Sequence, residues 1–194
     1  MKRHALRVAA ILALLVAWLG APVPAQAHAS STPSPNGESP WYYTDSWVLS
    51  GSWYGEGLHK DYCGSPAVHC SDYYALDFSK ISAPCYQPLY PIWDGMTVAT
   101  VDRSIGRMTM TKVFNGVTWR IKYMHMSSIN YNPGAVVGTT TVIGKTGDLG
   151  QASGCHLHIS TQAWSSSAGA WVSHPPQFCG RTYPHDHTTA WKGC

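Results

Sequence analysis

The chain is poor in charge and rich in glycine and proline, and both properties restrict its class. Only 12% of its 194 residues are charged, which is too few for a coiled coil, and 18 glycines and 13 prolines disfavour long helices. Phenylalanine is scarce, but 9 tryptophans and 11 tyrosines give an apolar, aromatic composition that disordered chains lack. The length fits one domain with at most a small appendage.

A basic excess is also missing once the N-terminus is set aside. Three of the 13 basic residues are Lys2, Arg3 and Arg7, and the remaining 10 balance 10 acidic residues. A near-neutral chain lacks the basic surface by which proteins bind nucleic acids or anionic membranes. We therefore expect neither partner.

The N-terminus is typical of a secretory signal peptide. Its basic start is followed by a 12-residue apolar run, Val8 to Leu19, and by the small-x-small sequence Ala25-Gln26-Ala27. The run is shorter than the about 20 residues that span a bilayer, although an uncleaved anchor is the alternative. We expect residues 1–27 to be removed and the protein to be secreted, to the extracellular space or cell wall, without membrane attachment.

Six cysteines suit an exported chain, because disulfides persist outside the reducing cytosol. None has the CxxC spacing of a zinc knuckle. Short loops favour two pairs and leave a third, although the sequence alone keeps other connectivities open. The expected pairs are Cys63–Cys70, Cys179–Cys194 and Cys85–Cys155.

The mature chain is predicted to be all-β. Residues 28–45 are expected to form a Ser/Pro-rich linker, since Ser30 to Pro40 contains little to bury. Short β-type runs then alternate with glycine, proline and asparagine, and Asn115-Gly116 predicts a hairpin between two of them. This pattern predicts antiparallel strands. The candidate strands are Met96–Val101, Met108–Phe114, Val117–Met126, His156–Ser160 and Gly169–Val172.

Among ten histidines, the sequence His156-Leu157-His158 is the most informative. Side chains alternate along a strand, so the two imidazoles share one face about 7 Å apart, while Leu157 and Ile159 share the other. Such a pair suits a metal ligand beside a catalytic base. The alternative is the polar outer face of a half-buried strand.

Asp77 and His125 are further candidates. Asp77 lies in an otherwise apolar run, and an ionised carboxylate buried there needs a cation or several donors. An Arg-paired or turn-bonded aspartate is an equal alternative. His125 alternates in phase with Tyr123 and Ile121, so it is also compatible with a satisfied core histidine.

Four motifs in order resemble those of the lysostaphin-like zinc peptidases, most closely their beta-lytic, staphylolytic-type branch. They are GSWYGEGLH, YALDF, KYMHMS and VIGKTGDLGQASGCHLHIS, within about Trp47 to Val172. The resemblance implies the compact antiparallel β-sheet core of that family, with long loops and disulfides, and one zinc ion per chain. It also implies Asp77 and His158 as zinc ligands and His125 and His156 as the catalytic histidines, with the base and oxyanion roles unassigned.

The third ligand has two candidates, because the family places a histidine before the aspartate. His59 precedes Asp77 by 18 residues and His69 by 8. We favour His59, since Ser52-Trp53 followed by Gly57-Leu58-His59 is similar to the approach to the ligand in the beta-lytic branch. His69 remains the alternative.

The resemblance implies a secreted zinc metalloendopeptidase that hydrolyses peptide bonds in peptidoglycan stem peptides or cross-bridges. We expect a monomer with a peptidase domain at residues 46–175 and a disulfide-closed tail at 176–194. The His-Glu-x-x-His and Gly-x-Ser-x-Gly motifs of other hydrolases are absent. The alternatives are a catalytically inert cell-wall-binding or regulatory module on this fold, or a secreted protease that cuts glycine-rich proteins.

Overall fold

The computed structural model describes residues 29–51, 59, 72–184 and 186–194. Its regular structure consists almost entirely of β-strands, which confirms the predicted all-β class. The strands are β1 Ser46–Leu49, β2 Leu76–Lys80, β3 Pro88–Leu89, β4 Met96–Asp102, β5 Arg107–Phe114, β6 Val117–Met124, β7 Ser128–Ile129, β8 Val136–Val137, β9 Gly144–Lys145, β10 Leu157–Ser165, β11 Ala170–His174 and β12 Trp191–Lys192.

One large antiparallel sheet organises these strands. Its order is β12-β1-β2-β10-β6-β5-β4-β8, and β11 pairs with the second half of β10. A smaller sheet has the order β3-β9-β7. The 9-residue strand β10 pairs with β6 on one side and with β2 and β11 on the other. The residues of β10 therefore lie at the centre of the large sheet.

The predicted hairpin joins β5 to β6. Asn115 and Gly116 have φ angles of 49° and 78°, as a two-residue turn with positive φ at both positions requires. Strand β6 ends at Met124, two residues before the predicted end, because His125 has a φ of 62° and leaves the extended conformation. This break sets His125 apart from the regular alternation of β6.

One face of the central strands forms the core. Leu157 and Ile159 of β10 and Ile121 and Tyr123 of β6 have no exposed surface. An aromatic cluster extends this core toward β1, where Trp41 stacks on Trp47 with ring centroids 5.1 Å apart. The opposite face of β10 remains available for polar side chains, as the alternation of a strand dictates.

The N-terminal segment is more ordered than its composition indicates. The predicted linker runs alongside residues 173–179, where Ser30 N donates to Ser173 O at 2.9 Å and Ser34 N donates to Pro175 O at 2.9 Å. Ser34 is buried, and Trp41 enters the aromatic core. Serine and proline made this stretch look solvent-exposed, but backbone hydrogen bonds and one tryptophan attach it to the folded domain.

The C-terminal residues also join this domain. Strand β12 pairs with β1, and the disulfide Cys179–Cys194 closes the tail as predicted. The predicted Cys85–Cys155 disulfide is likewise confirmed. The signal peptide, Cys63 and Cys70 lie outside the described residues. Within the described ranges, no helix is both long and apolar enough to span a membrane.

The buried position of Trp41 predicts that the N-terminal segment contributes to stability. We expect Trp41→Ala to lower the free energy of unfolding by about 3–5 kcal/mol, because it leaves a large cavity in the aromatic core. Tyr43→Ala is the matched control, since Tyr43 is 56% exposed. Urea denaturation measures both, and equal stabilities of the two variants would show that the segment does not contribute.

Candidate metal centre

A cleft of about 820 Å³ opens where β2 and β10 begin and β6 ends. Its walls carry four histidines and two aspartates among their side chains. These residues are His59, His125, His156, His158, Asp72 and Asp77. The cleft thus contains the site residues favoured from the sequence, whereas the alternative ligand His69 lies outside the described residues.

Three of these side chains converge on one point. His158 Nδ1 lies 3.0 Å from Asp77 Oδ1 and 3.2 Å from His59 Nε2, and the latter lies 3.5 Å from Asp77 Oδ1. The cause lies partly in the sheet, because antiparallel pairing places His158 of β10 directly opposite Asp77 of β2. All three residues are buried.

This arrangement fits one metal ion. A tetrahedral ion with bonds of about 2.0–2.2 Å to nitrogen and oxygen holds its ligand atoms about 3.3–3.6 Å apart. The three distances here, 3.0, 3.2 and 3.5 Å, are close to that spacing. Two imidazoles and one carboxylate are a ligand set that zinc accepts, and three protein ligands leave a fourth position open. His59, Asp77 and His158 are therefore able to hold a metal ion.

The pKa of Asp77 favours its charged form. Burial alone would raise this pKa, but hydrogen bonds and charge from His158 and His59 outweigh burial and lower it below its usual range. Gly51 lies against the carboxylate, where a Cβ at that position would be 3.1 Å from Asp77 Oδ2. The carboxylate is thus ionised and closely packed.

His125 and His156 form a second pair beside the three converging residues. Their ring centroids are 4.6 Å apart, and His156 Nε2 lies 3.7 Å from Asp77 Oδ1. His125 Nδ1 lies 2.7 Å from the carbonyl of Leu149, and His156 Nδ1 lies 2.8 Å from that of Gly154. A carbonyl only accepts, so each Nδ1 carries a proton, and Nε2 is the nitrogen of each ring that faces away from the backbone carbonyl.

The pKa of His125 is lowered, mainly by burial and further by the charge of His156, although the bond to Leu149 opposes this change. A lowered pKa keeps the imidazole neutral near pH 7. His125 is therefore in the form in which it is able to accept a proton.

Several contacts hold these two histidines in place. The disulfide Cys85–Cys155 anchors the residue before His156, whose own N–H donates to Gly147 O at 3.1 Å. Gly147 also approaches the other histidine closely, because a Cβ on it would lie 2.8 Å from His125 O. A motif glycine and a disulfide thus fix the strand ends from which the imidazoles extend.

Sequence reasoning missed one carboxylate of the cleft. Asp72 is 5% exposed and accepts from Lys122 Nζ at 2.7 and 2.8 Å and from Ser160 Oγ at 2.7 Å. Burial would raise its pKa, but His158 and Lys122 lower the pKa below its usual range. The alternation that placed His158 also places Ser160 on this face, whereas Asp72 precedes β2 without any periodic pattern.

The charges around His158 predict a pH dependence of the metal-free protein. Burial alone would lower its pKa, but Asp72 and Asp77 raise it to about 9. The resulting stabilisation is complete below the unfolded pKa of about 6.5 and is lost as pH rises through the folded pKa. The carboxylates act oppositely, since their lowered pKa values stabilise above about pH 4 and this contribution is lost on acidification.

We therefore expect the free energy of unfolding of metal-free protein to fall between about pH 6.5 and pH 9. Urea denaturation across this range measures the fall, and His158→Gln should remove it. His174→Gln is the control. Burial lowers the pKa of His174, so this histidine makes the free energy of unfolding rise, not fall, with pH. A wild type that declines no more than His158→Gln would contradict the expectation.

Part of the chain is similar to known peptidases. Residues 77–169 match the model of peptidase family M23. The M23 metalloprotease pseudoalterin from the deep sea is 22% identical over 71% of this chain and 74% of its own, with a TM-score of 0.49. The catalytic domain of lysostaphin from Staphylococcus simulans is 21% identical over 71% of this chain and 84% of its own, with a TM-score of 0.41.

A zinc containing peptidase from Vibrio cholerae is 18% identical over 71% of this chain and 39% of its own, with a TM-score of 0.47. No curated protein matches the sequence. The family match begins at Asp77 and ends at Gly169, so it contains both histidines of the His156-Leu157-His158 motif as well as His125. The match over residues 77–169 supports the lysostaphin-like peptidases, family M23, that the motifs predicted.

Proposed function

We propose that the protein is a secreted zinc metalloendopeptidase that hydrolyses peptide bonds in peptidoglycan stem peptides or cross-bridges. The observation that carries this proposal is the convergence of His59 Nε2, Asp77 Oδ1 and His158 Nδ1 within one cleft that also contains two further histidines. A peptidase needs an electrophilic centre and groups that move protons, and the cleft has residues suited to both tasks.

The three converging residues are the proposed zinc ligands. His59 supports this assignment by its position, since its Nε2 lies 3.2 Å from His158 Nδ1. A zinc ion in this position supplies a Lewis acid that polarises the scissile carbonyl and lowers the pKa of water toward about 7. Burial of the three ligands keeps bulk water from competing with the protein atoms.

His125 and His156 are the proposed catalytic residues. Their Nδ1 atoms are anchored by backbone carbonyls, so the Nε2 atoms are the reactive positions. One neutral imidazole accepts the proton of the attacking water at Nε2. The other, when protonated, donates a hydrogen bond to the tetrahedral oxyanion or a proton to the leaving amine.

The proposed compartment and substrate rest on the sequence together with the disulfides. Two confirmed disulfides suit an oxidising compartment, in agreement with the predicted signal peptide. The motif resemblance and the family match support a peptide substrate, and peptidoglycan is the substrate class that the resemblance implies. An inert wall-binding module is disfavoured, because such a module has no need of a complete ligand set beside two anchored histidines.

Mass spectrometry of purified peptidoglycan tests the proposal. The mature chain, residues 28–194, is expected to generate new peptide termini that disappear when a zinc chelator is added. His156→Ala should reduce the cleavage rate by about 10²–10⁴-fold, the usual contribution of a general acid or base. His158→Ala should lose both activity and zinc.

Zinc analysis of the same variants separates the two roles. His156→Ala should retain one zinc ion per chain, because its side chain is not a proposed ligand. His174→Ala is the matched control, since His174 bonds to Thr32 O outside the cleft and should retain activity and zinc. Zinc-loaded wild type that releases no peptides from several wall types would refute the peptidoglycan substrate, and glycine-rich proteins would be the next substrates.

A further inference from the structure

The Nε2 atom of His158 is buried without a hydrogen-bond partner. Within the described part of the chain, only three other buried side-chain nitrogens share this property, and all are tryptophan indoles, Trp41, Trp47 and Trp191. A buried polar group without a partner normally costs free energy, so such a group in a functional cleft needs an explanation.

The surroundings of Nδ1, the other nitrogen of the His158 ring, show that Nε2 carries the proton. His158 Nδ1 faces Asp77 Oδ1 and His59 Nε2 at 3.0 and 3.2 Å, so Nδ1 is the nitrogen available to a metal ion. An imidazole that binds a metal through Nδ1 carries its proton on Nε2. The unpartnered atom is therefore a donor, and it requires an acceptor.

Asp72 is the carboxylate that faces this donor. Its Oδ1 lies 3.8 Å from His158 Nε2, about 1 Å beyond a direct hydrogen bond. The same carboxylate accepts from Lys122 Nζ through both oxygens and from Ser160 Oγ, so its position and its negative charge are maintained.

The sheet explains why these groups meet. Ser160 of β10 pairs with Lys122 of β6, one alternation away from the pairing of His158 with Met124. Ser160, Lys122 and His158 therefore lie along one face of the two central strands, and Asp72 lies over that face. Only 11% of the Lys122 side chain is exposed, and its ammonium group balances the carboxylate, which permits a second acidic residue beside Asp77.

We propose that Asp72 is a positioning residue for the metal centre. Its carboxylate accepts the Nε2 proton of His158 and thereby directs the Nδ1 lone pair toward the ion. This inference rests on the proposed function, because it requires that the cleft binds zinc. Metal-bound histidines commonly donate their second nitrogen to a carboxylate, and removal of that partner weakens metal binding about 10- to 100-fold.

Zinc affinity of the mature chain tests the proposal independently of catalysis. We expect Asp72→Asn to weaken zinc binding by about 10- to 100-fold in competition with a chromophoric chelator. Asp102→Asn is the matched control, since Asp102 pairs with Arg107 at 3.4 Å on a more exposed part of the sheet and should leave zinc affinity unchanged.

A second variant guards against a loss of folding. Asp72→Asn leaves the largely buried Lys122 without its counter-charge, so the double variant Asp72→Asn/Lys122→Met removes both charges together. We expect this variant to fold, as judged by urea denaturation, and to bind zinc as weakly as the single variant. A purely structural ion pair would lower stability without changing the zinc affinity of the folded protein.

Nuclear magnetic resonance of the His158 ring supplies a spectroscopic readout. In zinc-loaded wild type the Nε2 proton should resonate downfield and exchange slowly, and in Asp72→Asn it should shift upfield and exchange faster. If the folded variants bind zinc as tightly as wild type, Asp72 is not a positioning residue, while the proposed function stands. Wild type that binds no zinc would overturn the proposed function, and this inference with it.

Discussion

The antiparallel pairing of β2 with β10 is the constraint on which the candidate site depends. It places Asp77 directly opposite His158, and it does so at the centre of the large sheet, where neighbouring strands restrict movement. Because the ladder fixes both backbones, the distance between the carboxylate and the imidazole is set by the fold rather than by flexible loops. A site built on paired strands retains its geometry before any ligand arrives.

The two proposed catalytic histidines lie beside this pair, each next to the end of a strand. His125 follows β6 in a left-handed conformation, and His156 precedes β10 beside a disulfide-bonded cysteine. Burying two aspartates in one cleft is unfavourable unless positive charges or a metal accompany them. Lys122 accompanies Asp72, and the two imidazoles accompany Asp77, so the charge balance of the cleft agrees with a cation bound among His59, Asp77 and His158.

Local patterns predicted the elements whose chemistry is local. The Asn115-Gly116 turn, the alternation of His156 and His158, and the disulfide Cys179–Cys194 all depend on residues close in sequence. Asp72 and the N-terminal segment escaped prediction because their partners are distant: Asp72 bonds to Lys122, and Ser30 bonds to Ser173. Such contacts follow from the arrangement of strands, which composition and periodicity do not specify.

The most direct test of this account is X-ray diffraction from zinc-loaded crystals at wavelengths on either side of the zinc absorption edge. Zinc bound at the proposed site should give one anomalous peak per chain, at about 2.0–2.2 Å from His59 Nε2, Asp77 Oδ1 and His158 Nδ1. A peak bound by other residues, such as His125 and His156 without Asp77, would contradict it. The absence of any zinc peak in protein that has been supplied with the ion would contradict it as well.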